Sequence, residues 1–273
     1  MMNRDLRVAL VMTLSPVGAV AANLANTARW VERAAGQGAA LVCFPELNLT
    51  GYSTRRELIE PIAQPIPGPL TQHLEKFSRK FDVVILAGMA ETDAQGRIFA
   101  SHVVISPQGT LGVYRKLHLA PPEKELLTAG EGVPLFDLAG IRLGVQLCYD
   151  AHFPELSTAQ ALAGADIIFI PHASPRGLPE DKRISWERHL PARAFDNGLF
   201  VVACNQVGDN GQGLTFPGVI LAFDPSGKPI AQATAQSEQM VVVDLRRRVM
   251  ENLRRHPMAY FLSHRREDLF GPP

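Results

Sequence analysis

An acid, an amine and a thiol each stand at the end of an apolar run in this chain: Glu46, Lys116 and Cys148. Cys148 is the most informative of the three. Ile141, Leu143, Val145 and Leu147 alternate as in a strand, turn-compatible polar residues follow, and an Ala-rich helical pattern opens near Pro154. A thiol where a buried strand turns into a helix can be aimed out of the sheet while backbone N–H groups point at the same spot. That suits attack on a carbonyl-type carbon. The other reading is a small apolar residue closing a strand, since free cysteines are often buried and inert. An unperturbed thiol, with a pKa of about 8.5, is only slightly ionised near neutrality and needs help. A carboxylate within reach can take its proton, and a nearby ammonium stabilises thiolate and oxyanion alike. Glu46, directly after Phe44-Pro45, and Lys116, after Tyr114-Arg115, supply those groups. Each taken alone also reads as a solvated loop carboxylate or half of a surface basic pair. His118 and His152, close in sequence to these positions, read equally well as pocket-wall or hydrogen-bonding residues.

The elements that must position these groups alternate along the chain. Apolar runs bounded by turn residues predict strands at 6–12, 39–44, 83–89, 98–105, 111–114, 141–147, 167–170, 200–205, 219–223 and 240–244. Helical spacing predicts helices at 17–35, 70–81, 157–163 and 186–196, with Gly36-Gln37-Gly38 stopping the first. The Pro-rich stretch 61–69 and the segment 121–132 read as loops, Pro107-Gln108-Gly109 as a tight hairpin turn, and the basic run 246–255 as a solvated helical face. Strands and helices alternate in both halves with a hairpin between, which implies sheets covered by helices on their outer faces. Open α/β sheets place ligands at the C-terminal ends of their strands, where the acid and the thiol stand. Gly208, Gly211 and Gly213 follow a strand but open no helix, so they are weak evidence for a nucleotide.

Composition narrows the class. The chain has 273 residues, 46% hydrophobic and 20% charged, with a net charge of +0, as expected of ordinary globular material with a large core. The balanced charge argues against nucleic acid or another polyanion as partner. No apolar run reaches membrane-spanning length, and the N-terminus goes directly into a short strand rather than showing the shape of a signal peptide. Three cysteines without framework spacing argue against a disulfide scaffold and fit a reducing cytoplasm. Cys43 and Cys204 lie inside apolar strand patterns and read as core, and no Cys/His group has zinc-site spacing.

Taken together, the motifs resemble those of the nitrilase superfamily of carbon–nitrogen hydrolases. Phe44-Pro45-Glu46-Leu47 is similar to its glutamate motif, Tyr114-Arg115-Lys116-Leu117-His118-Leu119 to its lysine motif, and Cys148-Tyr149-Asp150 with Phe153-Pro154-Glu155 to its cysteine motif. Arg193-Ala194-Phe195-Asp196-Asn197 and Val202-Ala203-Cys204-Asn205-Gln206 resemble the segment beyond the site, so the likeness covers essentially the whole chain in order. One departure stands out. Where members often carry Gly-Ser shortly before the late Asp-Pro turn, here Asp224-Pro225, this chain has Val219-Ile220, which puts strand packing and the oligomer contact in question.

The resemblance implies a single domain over 1–273 with an α/β fold, a four-layer αββα sandwich of two sheets with helices outside. It implies Glu46 as general base and acid, Lys116 as stabiliser of the intermediate and Cys148 as nucleophile, with the Tyr149 N–H sharing the oxyanion. A second glutamate after the lysine would hold Lys116; Glu123 fits that place best and Glu125 competes. No metal and no organic cofactor is expected. The substrate implied is a small amide or N-carbamoyl compound, since true nitrilases usually follow their cysteine with Trp-Glu, whereas Tyr149-Asp150 follow Cys148 here. Nitrile hydrolysis and a catalytically silent binding subunit are the alternatives. Acyl transfer or ammonia delivery would need membrane spans or a second domain. Pocket walls are expected from Tyr52, His152, His172 to Arg176 and Trp186, with Arg176 either receiving a substrate carboxylate or simply solvated. A homodimer or larger homo-oligomer is expected, with the helix after Cys148 and the basic C-terminal tail at the interface.

Overall fold

The computed structural model describes residues 2–270. In chain order the elements are β1 (Leu6–Met12), α1 (Val20–Gly36), β2 (Leu41–Cys43), α2 (Arg56–Ile59), α3 (Pro69–Phe81), β3 (Val84–Thr92), β4 (Ile98–Ser106), β5 (Gly109–Arg115), β6 (Leu135–Asp137) and β7 (Arg142–Val145). They continue with α4 (Pro154–Leu162), β8 (Ile167–His172), α5 (Pro179–Glu187), α6 (Leu190–Asn197), β9 (Phe200–Asn205), β10 (Gly208–Asp209), β11 (Thr215–Phe216), β12 (Gly218–Phe223), β13 (Pro229–Ala235), β14 (Gln239–Leu245), α7 (Arg247–Arg255) and α8 (Glu267–Phe270).

The strands form two six-stranded mixed sheets, ordered β14-β1-β2-β3-β4-β5 and β13-β12-β9-β8-β7-β6, plus the ribbon β10-β11. Each large sheet has three parallel strands, β1, β2 and β3 in one and β7, β8 and β9 in the other, flanked by antiparallel partners. Such strands are buried on both faces, which is why they read as continuous apolar runs. The alternation within β1 shows how they divide. Val8, Leu10 and Met12 face the second sheet in a shared core with Leu143, Phe169 and Val202, whereas Ala9 and Val11 face Trp30 and Val31 of α1. On the other side Ile168, Ile170 and Val201 meet Trp186, Leu190 and Ala194 of α5 and α6. Three apolar interlayers separate four layers, the αββα sandwich expected, each buried large side chain worth about 1.5–3 kcal/mol.

Several boundaries depart from the sequence pattern. The helix expected over 186–196 is two helices with a break at Arg188-His189. Pro191 explains it: a proline ring clashes with the carbonyl four residues earlier, here that of Glu187, where α5 ends. α5 also begins earlier, at Pro179, a residue pre-set for a first helical turn. The edge strands β6 and β13 had no clear pattern, because β13 alternates short Ala with exposed residues and β6 is three residues long. The Val219-Ile220 segment packs regularly: β12 is buried throughout and pairs Ile220 with Cys204.

Candidate active site

The strand ends expected to carry chemistry converge. Glu46 follows β2 in a turn where Leu47 takes a φ of 54°. Gly88 of β3 makes room for it, since a Cβ there would lie 2.3 Å from the Leu47 nitrogen. Glu46 Oε1 accepts from Lys116 Nζ at 2.9 Å and Oε2 accepts from the Ala173 N–H at 2.9 Å, just beyond β8. Its main-chain carbonyl accepts from Gln206 Nε2 at 2.8 Å, just beyond β9. Lys116 follows β5 and donates from the same Nζ to Glu123 Oε1 at 2.8 Å. Glu46, Lys116 and Glu123 are 1%, 1% and 3% exposed, so the amine bridges two carboxylates out of reach of bulk water.

Glu123 lies at the end of a single 3₁₀ turn, Pro121–Glu123. Its Oε2 accepts from the Ala120 N–H at 2.8 Å and its Oε1 also accepts from the Tyr52 hydroxyl at 3.1 Å. Glu125, the competing acid, is exposed. The structure therefore brings Glu123 to Lys116 and leaves Glu125 outside.

Cys148 opens a 3₁₀ turn, Cys148–His152, at the end of the strand pattern. Its φ of 46° is left-handed, a conformation that costs a non-glycine residue roughly 1 kcal/mol or more and persists only where its surroundings enforce it. They do. Asp150, fully buried, accepts from the Leu147 N–H at 2.9 Å, the Tyr114 hydroxyl at 2.7 Å and the His118 N–H at 2.8 Å. Arg193 Nε donates to the Ala151 carbonyl at 3.1 Å. Asp150, Asn205 and Gln206 stand in the motifs that carry the resemblance but have no chemical role legible there, and Lys182 stands in none of them.

The electrostatics follow from burial. Burial raises the Glu46 carboxyl above the usual carboxylate range, with Lys116 opposing and Glu123 adding to it. Burial alone would lower Lys116, but Glu46, the Cys148 thiolate and Glu123 outweigh it and hold the ammonium well above its usual value. Burial and then Glu46 push the Cys148 thiol up, while Lys116 and Lys182 oppose. The group thus holds a charged amine, a thiol that keeps its proton at rest, and a carboxylate with enhanced proton affinity. A proton can pass from sulfur to carboxylate while the ammonium faces the charge that develops.

Cys148 and Glu123 open into a cavity of about 350 Å³, walled also by Tyr52, Tyr149, His152, Ser174 and Arg176. A second pocket of about 430 Å³, lined by His118, Tyr149 and Phe153 among others, contains none of the acid–amine–thiol group. His172 and Trp186 sit behind the cavity wall rather than on it: both are buried, and their rings stack 3.8 Å apart. Arg176 is exposed at a left-handed φ of 68°. Cys43 and Cys204 are core residues. Among the described residues no helix is long and apolar enough to cross a membrane, and no cluster of three or more metal-ligating side chains occurs.

Residues 7–255 match the carbon–nitrogen hydrolase family. The chain belongs to that family. It is 35% identical over 252 residues to the nitrilase of Pyrococcus abyssi, covering 91% of this chain and 92% of that protein. It is 33% identical over 237 residues to an (R)-stereoselective amidase of a Pseudomonas species, covering 87% and 84%. Among solved structures, Saccharomyces cerevisiae Nit3, a member of branch 10 of the nitrilase superfamily, superposes with a TM-score of 0.85 at 27% identity over 94% of this chain and 96% of that one. A mutant of the amidase from Nesterenkonia sp. AN1, with the acetamide moiety of fluoroacetamide added covalently at its active-site cysteine, superposes with a TM-score of 0.80 at 25% identity over 97% and 95%. The chain is accordingly a carbon–nitrogen hydrolase with the fold of the nitrilase superfamily.

Proposed function

We propose that this hydrolase is an amidase acting on a small amide or N-carbamoyl compound through a thioester on Cys148, with one hydrolase domain spanning the chain. The observation that carries this reading is the Lys116 ammonium bridging two buried carboxylates next to a half-buried thiol held at a left-handed φ. Cys148 Sγ attacks the amide carbon as its proton passes to Glu46. The oxyanion is met by the third Lys116 proton and the Tyr149 N–H. Collapse breaks the C–N bond, and ammonia leaves with the proton from Glu46. Water then attacks the thioester, giving its proton to Glu46, which returns it to sulfur as the acyl–sulfur bond breaks and the acid departs, a carboxylic acid from an amide or a carbamic acid from an N-carbamoyl compound. Glu123 keeps Lys116 aimed and does not exchange protons. No metal or organic cofactor enters any step. Cysteine chemistry in the Nesterenkonia amidase supports the nucleophile, and the amidase among the relatives supports the substrate class. A homodimer or larger homo-oligomer in the cytoplasm completes the reading.

The test is ammonia release over aliphatic amides, ω-amides of dicarboxylates, N-carbamoyl compounds and nitriles, run beside Cys148→Ala. Turnover of at least one amide class by the parent and none by a folded Cys148→Ala is expected. Activity of the variant above about a hundredth of the parent's, roughly 2.7 kcal/mol of barrier, ends the thioester mechanism.

A further inference from the structure

Lys182 of α5 points its amine into the back of the cavity wall. Nζ donates to Ser174 Oγ at 2.8 Å and to the Pro175 carbonyl at 3.2 Å, both neutral acceptors on the loop after β8. That loop carries the Ala173 N–H that holds Glu46. Asn205 ties down the rest of Ser174, accepting from its N–H at 2.9 Å and donating to its carbonyl at 3.0 Å. Two acids of the same helix, Glu180 and Glu187, pair with Arg183, and the third, Asp181, is exposed. Lys182 meets no carboxylate among the described residues. A half-buried ammonium without a counterion is costly unless a negative charge forms nearby.

We propose that Lys182 is a positioning residue for the reaction: it fixes the Ser174–Pro175 wall behind Glu46 and supplies a second cation, besides Lys116, toward the Cys148 sulfur. The proposal rests on Cys148 being the nucleophile. Burial lowers Lys182 while the Cys148 thiolate draws it back up, as reciprocal coupling between the two requires. The charged and titratable groups that act on the sulfur or share its cavity are Glu46, Lys116, Glu123, Tyr52, Tyr149, His152, Arg176 and Lys182, while His172 faces Lys182 from the end of β8. Lys116 is already paired with two carboxylates, whereas Lys182 has no ion-pair partner among the described residues.

The experiment follows alkylation of Cys148 by iodoacetamide across about pH 6 to pH 9, read by peptide mass mapping with buried Cys43 and Cys204 as internal controls, in the parent, Lys182→Met, Lys182→Gln and Lys182→Arg. Gln keeps a donor for Ser174 but not the charge. A roughly tenfold fall in the thiolate fraction of both neutral variants would be offset about threefold by the greater nucleophilicity of the more basic thiolate. Their rate profiles should therefore lie about threefold below the parent's, shifted to higher pH, and Lys182→Arg should restore the parent's profile within about twofold. Met should additionally lower kcat more than Gln, because it also releases Ser174. A Gln profile that overlays the parent's, or one that Arg fails to restore, overturns the proposal. Failure of the nucleophile reading itself is distinguishable: Cys148 would then be as unreactive as the two core cysteines in the parent.

Discussion

Replacing Glu123 by Gln changes one heavy atom in a side chain held by three hydrogen bonds, and the cost can be worked through. Glu123 Oε1 accepts from both Lys116 Nζ and the Tyr52 hydroxyl, while Oε2 accepts from the Ala120 N–H. Glutamine has one oxygen. If it keeps Lys116, its amide N–H₂ faces the Ala120 N–H, donor against donor; if it turns over, Lys116 loses its partner. Losing one charge-assisted bond costs about 1.5–3 kcal/mol. The missing charge has a second effect. Glu123 helps to raise the proton affinity of Glu46, so the variant leaves Glu46 a weaker base. Two unit charges at about 4 Å interact by about 4 kcal/mol at an effective dielectric constant of 20, so only part of that coupling needs to reach the transition state. Together these predict a fall in kcat of roughly a hundredfold or more, within about tenfold of the loss in Lys116→Met. Lys116 still has Glu46, so no buried charge is orphaned and the fold survives with a Tm lower by only a few degrees. Initial-rate ammonia release at saturating amide, with circular dichroism as the folding control, measures both. Glu125→Gln, at an exposed position, should stay within about twofold of the parent. A mild Glu123→Gln beside a damaging Glu125→Gln would refute the reasoning.

Stability should fall in acid through buried histidines. His102 is held neutral by burial, its pKa lowered to about 3, and His172 is lowered well below its usual value for the same cause. The unfolded chain binds these protons below about pH 6.5 and the folded chain does not, so stability is complete above that pH and drops by about 1.4 kcal/mol per pH unit for each as the pH falls toward the folded values. A Tm unchanged between about pH 7 and pH 5, or a slope that His102→Leu leaves as steep, would contradict this. With paired substrates sharing one side group, kcat/KM for an amide or N-carbamoyl compound should exceed that for the nitrile by at least roughly a hundredfold, about 2.7 kcal/mol. An amide presents an oxygen to the donors from the first step, whereas a nitrile presents nitrogen and needs an extra hydration. Equal rates or a nitrile preference would reassign the branch.

Glu46, Lys116 and Cys148 were legible because each is a chemically distinct side chain at the end of an apolar run, where an α/β sheet exposes its strand ends. The layers were legible for the same reason, since strands buried on both faces announce themselves. The choice between Glu123 and Glu125 was not fixed by spacing alone. It depends on a three-residue turn whose capping bond to Ala120 selects the side chain that points inward. His172 stands at a strand end as a wall residue should, yet its ring lies against Trp186 because α5 begins seven residues later and covers it. Pro191 carried the information that the helix after Trp186 breaks, but an amphipathic pattern running through it hid the break. Lys182 was illegible because nothing in the sequence brings α5 to the back of the Ser174 wall.

The arrangement also explains why a site built from both sheets can be held to the tolerance that catalysis demands. Lys116 belongs to the first sheet and Cys148 to the second, so their separation depends on how the sheets are docked. Asp150 removes that freedom. One carboxylate binds the hydroxyl of Tyr114 two residues before Lys116, the N–H of His118 two residues after it, and the Leu147 N–H directly before Cys148. Glu46, from the first sheet, is fixed in the same manner by the Ala173 N–H and the Gln206 amide of the second. These side chains and their neighbours are thus tied across the interlayer to the opposite sheet, and all but the half-buried His118 bond lie in the buried interior, where a hydrogen bond is stronger and its loss more costly than in water. The left-handed backbone at Cys148 is the strain such cross-ties can sustain. Donors fixed in this way need no reorganisation when charge develops on a substrate, which is the condition under which a few polar groups account for most of a rate enhancement.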